Sequence, residues 1–340
     1  MTPTLLILVY YLLSGVTCDS TAESLTYGRI LTISLSDVAL NGTLPISIGN
    51  FQAMSTMLFY KCQIRGVLPI TVGQLTSIQS LNLEYNSLSG PVPTSYGNLL
   101  SLTQLSLTSN KLIGPIPDTI SALTKLRRLV IGVNSITGSI PSSIGGMTSL
   151  IIISLPLCSL TGTIPSTISA LTSLEELSLS SNSLSGSIPT SLGNLLSFKA
   201  FILFSNMLTG PIPDEISALT KLRYLMIGSN SLSSSFPSYI VTFTSLIEID
   251  LSRCSLSGTI PSTMSALTNL RSLYLSDNYL TMGTSTSVPT STFSSITLAE
   301  TLELENNCLA FSTSAPYPSR SVTATHCRPT SKYQVYYHVI

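Results

Sequence analysis

A chain of 340 residues can make two or three ordinary domains or one extended array. Only 9% of the residues are charged, against roughly 25% in ordinary globular proteins, and 44% are apolar, which excludes a disordered chain and a conventional charged surface. The 15 basic and 15 acidic residues cancel, so no long-range field steers a nucleic acid or an anionic membrane toward the protein, and neither is expected as a partner.

Residues 1–18 hold an apolar run from Leu5 to Leu13 followed by small residues, the layout of a secretory signal. The run is too short to span a bilayer, and no Lys or Arg precedes it, so a capping strand is the alternative. Residues 19–29 read as an N-terminal cap.

A repeat array occupies 30–309, and from Val38 to Asn278 its period is 24 residues without a slip. One turn carries Leu102, Leu105, Leu107, Asn110, Leu112, Gly114, Ile116 and Pro117; the next carries Leu126, Leu129, Ile131, Asn134, Ile136, Gly138, Ile140 and Pro141. An eleventh turn (Leu270, Leu273, Leu275, Asn278, Leu280) loses the Gly and Ile-Pro signature. A twelfth (Leu302, Leu304, Asn307, Leu309) arrives five residues late, the extra length lying in a Ser/Thr-rich loop at 282–297.

Within each turn, the alternation around Leu105 and Leu107 has period two, so it predicts a short strand with leucines inward and the intervening residues outward. Strands of successive turns then pair in parallel. The Asn column (Asn86, Asn110, Asn134, Asn182, Asn206, Asn230, Asn278, Asn307) is expected to satisfy backbone groups of the adjoining turn with its amides. Gly permits a close approach, and Ile-Pro is expected to start a second extended segment before the outer face. No turn can bury its apolar edge alone, so stability is a sum over neighbours and the ends need caps.

The pattern LxxLxxLxLxxNxLxGxIPxxIxxL resembles the plant-type leucine-rich repeat over roughly residues 30 to 280. The resemblance implies an α/β-type solenoid: a curved right-handed array of about twelve turns, with a parallel sheet on the concave face and a 3-10 or irregular convex face. It also implies a protein that binds something, as do receptor-kinase ectodomains, polygalacturonase inhibitors and protist surface antigens of this family. Fold alone does not name the ligand.

In the ladder column, Cys replaces Asn at Cys62, Cys158 and Cys254, spaced 96 residues apart each time, and NSLSGPVPTSYGNLLS from Asn86 recurs as NSLSGSIPTSLGNLLS from Asn182. A four-turn block is therefore duplicated. Four strand spacings, roughly 19 Å, separate these thiols, too far for disulfides, and they are expected to be buried and structural. Cys308 follows the last ladder Asn and Cys327 lies in the C-terminal cap and tail, 310–340, where a Cys308–Cys327 disulfide would staple the open end. The tail sequence SKYQVYYHVI is not an apolar anchor, so membrane association is expected only through a partner or a further segment.

No Ser-His-Asp, CxxC, HExxH or P-loop pattern occurs, so no catalytic residue and no cofactor is expected. His326 beside Cys327 is only a pair of ligands, so no metal is expected either. Glu175 and Glu176 point to opposite sides of one strand and cannot act as a dyad. The outward strand column is mostly small, but Ile202, Phe204, Tyr224 and Met226, with Asp250 and Tyr274 alongside, predict an exposed apolar cluster rimmed by charge, as contact sites often are. Tyr60, Tyr85 and Arg128 form a weaker second group.

Asn41-Gly42-Thr43 is the only glycosylation sequon. The favoured function is an extracellular or cell-surface recognition protein, not an enzyme, that binds a protein, peptide or carbohydrate on the concave side. The alternatives are a surface coat without a specific ligand and, more weakly, an ice-binding solenoid. Against ice, the column after the Gly is irregular, with Val67, Pro91 and Pro115 interrupting Thr43, Thr163 and Thr259.

Overall fold

A computed structural model describes residues 16–18, 30–281 and 301–307. The expected loop at 282–297, the tail from 310 and both Cys308 and Cys327 lie outside the described residues. The 24-residue period becomes one coil. Twelve parallel strands, from Ile30–Ser36 to Thr301–Glu303, stack in one sheet, each in register with the residue one repeat away, so that Leu105 lies opposite Leu129 and Leu129 opposite Ile153. A thirteenth strand, Val16–Cys18, pairs antiparallel with the first; the apolar run Leu5–Leu13 and the expected cap at 19–29 lie outside the described residues.

Each strand's inward leucines, together with one residue from the short helix opposite, fill a continuous core; Leu105, Leu107, Leu112, Leu123 and Leu126 are all fully buried. After the late insertion, Ser272 pairs with Thr301, so the twelfth coil joins the same sheet.

The outer side consists of ten five-residue 3-10 helices such as Asp118–Ala122, and no α-helix occurs among the described residues. This is the 3-10 convex face expected of the solenoid. The second extended segment sits elsewhere than expected: it precedes Ile-Pro, as in Lys111–Gly114, and pairs with the same segment of neighbouring turns. Pro117 lacks an N–H to donate to a sheet and instead enters the 3-10 helix from an extended conformation, φ −69° and ψ 136°. Gly114, at φ 75°, makes the corner between them.

The helical side carries a two-turn alternation within the duplicated block. The fourth helical residue is Gly97, Ser121, Gly145, Ser169, Gly193 and Ser217 in successive turns. A methyl group on Gly97 would collide with the Thr119 carbonyl oxygen of the next turn and lie 2.8 Å from its Cβ; Gly193 faces Glu215 in the same way. Glycine thus lets its turn close onto the following one, so turns associate in pairs. A second ladder reinforces this side: the hydroxyls of Ser95, Thr119 and Thr167 donate to carbonyls one turn back, at 2.7, 2.8 and 2.6 Å.

The close approach predicts that Gly97→Ala destabilises the protein by about 1–3 kcal/mol, because a backbone oxygen cannot move aside without parting two coils. Gly146→Ala, whose new methyl would meet nothing nearer than 4.0 Å, serves as the matched control in thermal and denaturant unfolding. Equal stability of the two variants would contradict the pairing.

Candidate functional site: the concave sheet face

The ladder sets where outward side chains fall. Each Asn turns its amide into the coil. Asn134 Oδ1 accepts from Leu112 N–H at 2.9 Å, and its Nδ2 donates to the carbonyls of Leu107, Ile131 and Gly132 at 3.1, 2.7 and 3.1 Å. Asn86, Asn110, Asn182, Asn206, Asn230, Asn278 and Asn307 repeat the arrangement, binding carbonyls of the preceding turn at 2.7–3.1 Å.

The residue before each ladder position takes a left-handed conformation, Ser109 at φ 55° and Ser205 at φ 57° among them. Where Cys stands in the column, sulfur makes the same donation more weakly, Cys62 to Leu35 and Tyr60 carbonyls at 3.5 and 3.4 Å. Cys62 and Cys254 are buried. Cys158 is only half-buried, a correction to the expectation: its sulfur reaches the Ile131 and Pro156 carbonyls at 3.8 and 3.7 Å, a looser hold than an amide gives. Burial pushes all three thiols up in pKa, Cys254 to about 11, which leaves them poor nucleophiles.

In this frame the eighth to eleventh turns bring the expected residues together. Ile202 lies opposite Met226, Met226 opposite Asp250, and Asp250 opposite Tyr274, a row across four adjacent strands. Tyr224 sits opposite Ala200 and Glu248 on the near side of the row, and Phe204 flanks it on the far side, one turn before Gly228. All four apolar members are half-buried, not exposed, which corrects the expectation of an exposed cluster. Strand spacing explains it: at roughly 4.8 Å between strands, large neighbouring side chains shield one another.

Gly228 is the gap in this surface, and a methyl group there would collide with the Asp250 carboxylate, which occupies the space. Asp250 accepts from the Ser252 N–H at 2.9 Å and the Ser252 hydroxyl at 2.6 Å. Burial pushes its carboxyl above the usual range, against the pull of those bonds and of Arg253. Beyond it the face turns acidic. Burial raises the carboxyl of Glu303, as do the like charges of Glu305, Asp250 and Asp277, with Arg253 opposing.

Arg128 is not part of this cluster. It lies opposite Gln104 and Ile152, four strands from Tyr224, and its charge acts on Glu84 and Glu176, both otherwise raised by burial. Tyr60 and Tyr85 do meet, with ring centroids 5.2 Å apart. Glu175 pairs with Lys199 at 2.8 Å, while Glu176 lies on the sheet face.

The most exposed apolar side chains on this side are Tyr85, of that second group, and two residues the sequence reading missed, Val133 and Leu157, at 43%, 40% and 43% exposure. They occupy the left-handed corner, where small polar residues are common, and a β-branched Val at φ 55° is unfavourable there. The legible signal is the break in a Ser-rich column just before the ladder.

Because the Asp250 carboxyl is raised in the folded state, its contribution to stability is full below the ordinary carboxylate range and is lost as pH rises through the raised value. Asp250→Asn should therefore melt at a higher temperature than the parent near neutral pH, the advantage vanishing below about pH 4. Unfolding curves across that pH range check it, and a pH-independent difference would contradict it.

Among known proteins, a leucine rich repeat family model matches residues 220–280, and another matches 77–99, 101–123, 125–147, 173–195 and 269–294. No curated protein matches the chain. Solved structures do. The plant peptide hormone receptor RGFR1 in complex with RGF2 is 34% identical, with a TM-score of 0.73 over 79% of this chain and 42% of that one. The Arabidopsis receptor kinase HAESA, in complex with the peptide hormone IDA and the co-receptor SERK1, is 26% identical, with a TM-score of 0.65 over 87% of this chain and 60% of that one. A plant ice-binding protein is 28% identical, with a TM-score of 0.60 over 73% of this chain and 78% of that one. The chain thus spans less than two thirds of either receptor. By its period, its amide ladder and its fold, this chain belongs to the plant-type leucine-rich repeat proteins.

Proposed function

We propose that the protein is a non-catalytic recognition module of the extracellular space or cell surface, and that it takes a peptide or a segment of a protein across turns eight to eleven of the concave face. The observation that carries this reading is the row Ile202, Met226, Asp250 and Tyr274, flanked by Phe204 and Tyr224, on a face otherwise lined largely by small hydroxyl residues. Half-buried apolar side chains beside a carboxylate offer both contact area and a polar anchor, the usual composition of a binding centre. The likeness to receptor ectodomains bound to peptide hormones supports a peptide over a carbohydrate.

The secretory layout of residues 1–18 and the exposed sequon at Asn41 support an extracellular location, with Asn41 as the glycosylated residue. A Cys308–Cys327 bridge fits the same compartment. No helix among the described residues is long and apolar enough to cross a membrane, so attachment would come through a partner or a further segment.

The likeness to a plant ice-binding protein favours a second reading, but the file after the corner Gly is exposed and mixed: Val67, Pro91, Pro115 and Ser139 separate Thr43 from Thr163, and Ser187, Pro211 and Ser235 separate Thr163 from Thr259. A face without a regular hydroxyl spacing is a poor template for a lattice.

Selection from a displayed random peptide library tests the proposal. Peptides enriched on the parent should bind the Phe204→Glu, Met226→Glu variant at least about tenfold more weakly, a loss of about 1.4 kcal/mol, while the variant melts as the parent does. Equal binding to both, or no enrichment at all, contradicts the proposal and favours a surface coat.

A further inference from the structure

On the edge where the chain enters the strands, a shallow groove of about 910 Å³ runs past turns eight to eleven. Its walls carry Lys199, Lys221, Arg223 and Arg271, together with Ile247 and Asn269, and no carboxylate lines it. In a chain of net charge zero, four of 15 basic side chains converging on one groove is a local excess created by the fold. Glu175, outside the groove, pairs with Lys199 at 2.8 Å, and the Arg223 guanidinium lies 6.0 Å from the centre of the Tyr224 ring, held against the concave cluster.

The spacing of the cations selects among anions. The file that runs along this edge reads Lys199, Arg223, Ile247, Arg271 in successive turns, so its cationic positions are interrupted by an isoleucine. A polymer of uronic acids places a carboxylate on every sugar, roughly one per turn of this solenoid at strand spacings of about 4.8 Å, and would set one of them against Ile247. Arg223 and Arg271 stand two spacings, roughly 9.5 Å, apart along the sheet. In an extended polyproline-type peptide, residues i and i+3 share a face and lie about 9.3 Å apart.

We propose that this groove binds an acidic peptide segment with two carboxylate side chains three residues apart, one on Arg223 and one on Arg271, the peptide backbone between them crossing Ile247 and the two intervening side chains turned off that face. Lys221 adds charge without a fixed geometry, whereas the two guanidinium groups receive carboxylates in a forked, two-point contact. The groove stands on its own residues, so the assignment does not depend on the concave cluster being a contact surface.

Three probes test it by fluorescence anisotropy on the whole chain: labelled Pro-Glu-Pro-Pro-Glu-Pro, its Gln counterpart, and an oligogalacturonate of similar length. The Glu peptide should bind tighter than the Gln peptide by about fivefold, more at low salt, and tighter than the oligogalacturonate. The Arg223→Gln, Arg271→Gln variant should lose that preference, and Arg127→Gln, on the same edge but outside the groove, should keep it. Equal binding of the Glu and Gln peptides to the parent, tighter binding of the oligogalacturonate, or an equal loss in Arg127→Gln would overturn the proposal.

Discussion

The amide of the ladder asparagine is the interaction on which the rest of the solenoid depends. Each coil must leave the sheet through a sharp corner, and the corner exposes backbone N–H and C=O groups to an apolar interior where an unpaired one costs about 1–3 kcal/mol. One Asn side chain joins the N–H of a residue 22 positions back to the carbonyl of one 27 back and to carbonyls of its own turn. The left-handed residue before it, such as Val133 at φ 55°, makes the corner that aims the amide inward. Because the same bond recurs wherever Asn holds the ladder position, with the sulfurs of Cys62, Cys158 and Cys254 reaching the equivalent carbonyls more weakly, outward residues fall into straight files, and a surface can be composed one residue per coil.

Those files explain where chemistry can reside. The hydroxyl residues that dominate the concave face are neutral filler, and the four-turn duplication repeats them; Gly132 and Gly228 recur 96 residues apart, their space taken by Pro156 and by Asp250. Departures from the filler therefore mark places where one coil has diverged. The apolar row of turns eight to eleven, the interrupted file of cations beside it and the exposed Val133 and Leu157 at the corner are three such departures. The first two adjoin one another at Tyr224, whose ring lies under Arg223.

Much of this was legible in the sequence, because a strict period leaves little choice. Leu105 and Leu107 specify the strand by alternation, and Asn110 specifies the corner by its column. What was not legible depended on neighbours one period away. Whether Ile202 and Met226 are exposed is decided by their contact across strands, and neither residue's own surroundings in the sequence report it. The second extended segment was misplaced after the Gly because Ile-Pro looks like a strand, whereas the missing N–H of Pro117 makes it a helix entry. The collision that a methyl on Gly97 would make with Thr119 lies between turns and has only an indirect trace, the Gly and Ser alternation.

The most direct test of the ladder's central role is amide hydrogen exchange at Leu112, whose N–H is held by Asn134 Oδ1 at 2.9 Å, compared between the parent and Asn134→Ala. If the amide carries the corner, the variant loses protection at Leu112 and in the adjoining coils, with a fall in local stability of about 2–4 kcal/mol, while Cys158→Asn keeps or raises protection one coil further on. Unchanged protection at Leu112 in Asn134→Ala would mean that leucine packing alone shapes the coil, and the account would fail.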